Sequence, residues 1–94
     1  MTESEYYVVT FVSTSHAIKL EKTMVSQFQV AIIPTPTEIS RSCGLSFRLD
    51  YPDITSAIAI LDDSGFPFGV YALSREKTAG KRQVRLITEK KASR

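Results

Sequence analysis

Ninety-four residues, 43% apolar and 23% charged, make chain enough for one ordinary globular core, too little for two, and leave little room for a deep substrate cavity. The formal charge of +2 is uneven: residues 1–73 hold four basic against eight acidic side chains (net −4), residues 74–94 eight against two (net +6), so an acidic body carries a basic extension. No apolar run reaches the length of a membrane span, the acidic Met1–Glu5 segment lacks the basic and apolar regions of a signal peptide, and one cysteine cannot form an internal disulfide, so a cytoplasmic protein without membrane contact is expected.

Tyr6–Val12 (YYVVTFV) is β-branched and aromatic and apolar on both alternating faces, which predicts a central strand buried on two sides. Ser13-Thr14-Ser15 supplies hydroxyls for a helix N-cap, with Thr14 or Ser15 expected as the cap. From Ala17 the period changes: Ala17, Leu20, Met24 and Phe28 share one helical face, Ile18 and Val25 flank it, and Lys19, Lys22, Thr23 and Ser26 face water. Val30–Pro34 reads as a second, short strand that Pro34 and Pro36 close or confine to an edge. Thr35–Gly44 is polar and reads as a loop. Leu45, Phe47 and Leu49 then alternate with Ser46, Arg48 and Asp50, as in a half-buried strand.

Pro52 and Asp53 suit the first turn of a second helix, and Ile54, Ala57, Ile58 and Leu61 make its buried stripe. Gly65 fits the left-handed position after its end, and Pro67 prevents continuation. Phe68–Leu73 reads as the fourth strand. The order βαββαβ predicts an α+β, ferredoxin-like split βαβ sandwich: a four-stranded antiparallel sheet, strand order 4-1-3-2, with two helices on one face. On this reading residues 1–73 form the single domain. Residues 74–94 are a basic extension, expected to be mobile, with Val84–Ile87 as a possible short edge strand.

That topology sends strand one out and strand three in at the same end of the sheet, side by side. The lone thiol, Cys43, enters strand three from Ser42-Cys43-Gly44 and is therefore expected near Ser13, Thr14, Ser15 and His16. A helix N-terminus stabilises a thiolate, Arg41 adds positive charge, and His16 can take the thiol proton. Gly44 lets a substrate or a partner's sulfur come close to the backbone. Each residue also has a plainer reading: Cys43 as a small buried apolar side chain, His16 as an exposed first-turn residue, Gly44 as a turn residue, and the Ser40 and Ser42 hydroxyls as loop hydrogen-bonding groups.

Taken together, Tyr6–Phe11, Ser13–Ala17, Pro34-Thr35-Pro36, Glu38-Ile39-Ser40 and Ser42-Cys43-Gly44-Leu45 resemble a family of short bacterial and archaeal proteins described as putative selenium/sulfur carrier-like. The resemblance covers Tyr6 to Leu73; the Ser-Cys-Gly loop and the segment before it are its most specific part. It implies a carrier rather than an enzyme, with sulfur or selenium held on Cys43 as a persulfide or perselenide, no cofactor, and donor and acceptor proteins as partners. The chain lacks a resolving cysteine for dithiol chemistry, and Pro34-Thr35-Pro36 is not the Cys-Pro-x-Pro motif of other sulfur-relay proteins.

Two other functions stay open. The RNA-recognition fold shares the βαββαβ order, and the basic extension could grip phosphates, but Cys43-Gly44-Leu45-Ser46-Phe47 has only the glycine and one of the aromatics that fold places on its third strand, with no leading basic residue. A protein-binding role would use the sheet face opposite the helices, expected to lie open and to favour a homodimer. One cysteine and one histidine do not make a metal site.

Overall fold

A computed structural model describes residues 5–36, 38, 39, 44–50 and 53–91. The elements run β1 (Glu5–Phe11), α1 (Thr14–Gln27), β2 (Ala31–Pro34), β3 (Leu45–Leu49), α2 (Asp53–Ser64), β4 (Phe68–Thr78) and β5 (Lys81–Lys90). The strands form one antiparallel sheet in the order β2-β3-β1-β4-β5. No helix among the described residues is long and apolar enough to cross a membrane.

The α+β class holds, with two helices, but the sheet has five strands where four were expected. The difference lies in the basic extension. β4 does not stop at Leu73 but continues to Thr78, and residues 81–90 pair back on it from Thr78↔Lys81 to Phe68↔Lys90. The mobile-tail expectation therefore gives way to a ten-residue edge strand, and the short edge strand offered as the alternative at Val84–Ile87 falls inside it. Ala79 and Gly80 join the two strands, both at positive φ (54° and 82°), as a two-residue hairpin turn of the right twist requires. The ladder is irregular between Leu73 and Lys77. There the Ser74 hydroxyl accepts from the Gln83 amide at 2.8 Å, standing in for a main-chain acceptor.

β1 is central, and every residue from Tyr6 to Phe11 is buried. Alternation divides the strand between two apolar clusters. Tyr7, Val9 and Phe11 pack with Phe47, Leu49, Val70 and Ala72 against Ala17, Leu20 and Met24 of α1 and Ile54, Ala57 and Leu61 of α2. This is the larger core, and both helices contribute to it. Phe11 and Phe47 meet edge to face at 4.9 Å, a favoured aromatic geometry. The flanking side chains of α1 are more exposed than its stripe, Ile18 at 59% and Val25 at 50%.

On the other face Tyr6, Val8 and Leu73 cluster with Ile39, and Ile33 and Tyr71 pack against them. This is the face expected to lie open. It is covered there, since Val8 and Leu73 are fully buried and Ile39 is 6% exposed. The cover comes from the loop after β2, which the polar composition of Thr35–Gly44 did not reveal.

Candidate functional site

The loop that carries Ser42-Cys43-Gly44 is tied at its base and within its length. At the base, Pro34 pairs with Leu45, the Thr35 amide donates to the Gly44 carbonyl at 2.9 Å, and the Thr35 and Ser46 hydroxyls share a 2.6 Å hydrogen bond. Ser46 is fully buried, so this bond satisfies a hydroxyl that burial would otherwise penalise. Within the loop, the Ile39 amide donates to the Pro36 carbonyl at 3.0 Å, and the Ile39 side chain enters the second cluster. Beside it, a Glu38 carboxylate oxygen accepts from the Arg82 amide of β5 at 3.4 Å. Its own amide and that of Arg82 hold the Glu38 carboxyl below the usual range, with Lys77 and Arg82 adding attraction.

Gly44 has φ +99°, and a Cβ there would meet nothing within 4 Å among the described residues beyond its chain neighbours. The residue is glycine for its backbone angle. Cys43, Arg41 and Ser42, the centre of the sequence-derived site, lie outside the described residues, as does Ser40.

The expected convergence at one end of the sheet can be followed on the neighbouring residues. Thr10 pairs with Ser46 across antiparallel β1 and β3, so the chain leaves β1 toward α1 at the end where Gly44 enters β3. The helix cap differs from expectation: it is Ser13, whose hydroxyl accepts from the Ser15 amide at 3.2 Å, with Thr14 and Ser15 in the first turn. Ser13 takes the role because its backbone is extended (φ −132°, ψ 137°), as an N-cap requires. Its carbonyl accepts from the His16 amide at 3.1 Å, so the cap itself engages two first-turn donors. Thr14 and Ser15 are exposed.

His16 turns toward the α2–β4 connection. Its ring stacks on Phe66 with centroids 4.4 Å apart and planes 7° from parallel, and Lys19 lies 6.0 Å from the same phenyl centroid. Phe66 precedes β4, the strand on the side of β1 away from β3. The His16 Nδ1 is buried and meets no hydrogen-bond partner among the described residues. The sequence hint for this contact was an aromatic directly after Gly65, a place where helix ends commonly take an apolar contact. Among the described residues no group of three or more His, Cys, Asp or Glu side chains is arranged to hold a metal ion.

A family model described as "Putative Se/S carrier protein-like" matches residues 6–71, from the second residue of β1 into β4 and across the whole β2–β3 loop. β5, with Arg82, lies beyond the match. No curated protein matches the chain, and no solved structure matches it.

Proposed function

Because the chain belongs to the putative Se/S carrier protein-like family, we propose that it carries sulfur or selenium on Cys43 as a persulfide or perselenide. The observation that carries the reading is the family match across the loop containing the only cysteine. The finer fold reading belongs with it: a ferredoxin-like split βαβ sandwich extended at one edge by β5.

In the sulfur case the Cys43 thiolate attacks the outer sulfur of a donor protein's persulfide. A sulfur–sulfur bond forms to Cys43, the donor's sulfur–sulfur bond breaks, and the donor cysteine leaves as thiolate, so no external oxidant is needed. Delivery is the same exchange with an acceptor nucleophile, and Cys43 is the leaving thiolate. The lack of a side chain at Gly44 supports close approach of a second protein's sulfur. Thr14, Ser15 and His16, at the same end of the sheet, are proposed to favour the thiolate, with Arg41 and Ser42 flanking it in sequence. One cysteine per chain supports a carrier that hands its cargo on.

The test is persulfide trapping. Purified protein is mixed with a persulfide donor, alkylated, digested and weighed. One added sulfur on the peptide containing Cys43, absent in Cys43→Ser and transferable to a second thiol, is the expected result. A Cys43 that stays unmodified at donor excess yet alkylates freely with iodoacetamide would sink the reading.

A further inference from the structure

Three arginines from three strands gather round the ring of Tyr6 on the sheet face away from the helices. Arg48 of β3 lies over it with its guanidinium carbon 4.2 Å from the centroid, Arg82 of β5 at 5.5 Å and Arg75 of β4 at 5.9 Å. Stacking on an aromatic accounts well for one guanidinium. It does not account for three like charges, which repel one another unless counter-charge is supplied.

The counter-charges are unequal. Arg75 is neutralised by Asp50 at 2.7 Å. Arg82 directs Nη1 at the carbonyls of Ser74, at 2.8 Å, and Arg75, which fix its guanidinium; the Glu38 carboxylate accepts from its main-chain amide and attracts its charge from there without pairing with the guanidinium. Arg48 is half-buried and has no carboxylate partner among the described residues. A held guanidinium and an uncompensated one therefore flank a common ring, beside the loop segment Glu38-Ile39.

We propose that Arg48 and Arg82, with the Tyr6 ring between their strands, form a binding site for a small tetrahedral oxyanion of the phosphate or sulfate type. A guanidinium fork presents paired N–H donors that match two oxygens of such an anion. Arg82, pinned by its carbonyls, loses little further freedom on binding. The site stands on residues separate from the cysteine chemistry, so its failure and the failure of the carrier reading are distinguishable.

The experiment is an NMR titration with inorganic phosphate at constant ionic strength set by sodium chloride, following the side-chain Nε–Hε resonances of arginine. Saturable shifts of Arg48 and Arg82 are expected. Arg48→Met, which keeps the stem over Tyr6 and removes the charge, is expected to weaken binding about tenfold, and Arg48→Lys to weaken it less. An unaltered backbone spectrum establishes that the variants are folded. Equal shifts with chloride alone, or binding that Arg48→Met leaves unchanged, would show an adventitious ion only and overturn the proposal. A single-stranded RNA oligomer that binds far more tightly than phosphate, with a steep salt dependence, would also overturn it, making the patch part of a polyanion surface.

Discussion

Gly44 and Ala79 occupy similar backbone territory with opposite fitness for it. Gly44 (φ +99°) bears no side chain, and among the described residues beyond its chain neighbours nothing would crowd a Cβ there. Gly44→Ala is therefore expected to cost about 1–2 kcal/mol from backbone strain alone, read as a lower urea midpoint with little change in slope. Ala79 (φ 54°) already carries that strain, and Ala79→Gly is expected to raise stability by up to about 1 kcal/mol by the same measurement. Glu38 gives a pH signature. Its carboxyl is held below the usual range in the folded protein, so it contributes stability above its unfolded pKa of about 4.3 and loses that contribution as pH falls through the lower folded value. Urea midpoints at neutral and strongly acid pH should show a smaller acid loss in Glu38→Gln than in the wild type.

At the scale of elements, the strongest predictions from sequence were those written twice. β1 was legible because its residues are apolar in both alternating sets, and the buried run Tyr6–Phe11 is the result. α2 was legible because stripe and stop agree: Ile54, Ala57 and Leu61 are buried, and Gly65 takes φ +84°. β5 is only partly legible, as the short edge strand offered at Val84–Ile87, because Lys81, Arg82, Arg85, Glu89 and Lys90 punctuate its apolar residues, and an edge strand is free to carry such charge. It also takes ion-pair partners far away in sequence, Glu5 for Arg85 at 3.0 Å and Asp62 for Lys90 at 3.2 Å. Ile39 was missed because one buried residue in a polar loop has no period to reveal it. Phe47, fully buried in the larger core, tests that core: Phe47→Ala is expected to cost about 3–5 kcal/mol in chemical denaturation.

Taken whole, the molecule has two apolar clusters of different make. The larger joins both helices to the sheet; the smaller is closed by a loop on one side and bordered by arginines. The expectation of a bare second face came from counting helices, two of which cover only one side of a sheet. It overlooked that the segment between β2 and β3 is long enough to fold back. For the candidate site, sequence alone points to the thiol, which lies outside the described residues, and to the end of the sheet at which β3 begins, which the β1–β3 register bears out. It did not bring out where the imidazole turns, because stacking on Phe66 joins residues 16 and 66 across the fold. If His16 promotes reaction at Cys43, iodoacetamide should alkylate the thiol more slowly in His16→Ala. Phe66→Leu should then change the rate as well, by freeing the ring it holds.

The hydrogen bond between Glu38 and Arg82 spans 44 positions of the chain. During synthesis β1, α1, β2, β3 and their connections all emerge before the residue that fastens the cysteine loop's midpoint to the sheet edge. The base of the loop has its partners within residues 34–46, and the fastening at Glu38 waits for β5. Emergence of β5 thus separates a chain that can already build its helical core from one whose cysteine loop is also held at Glu38.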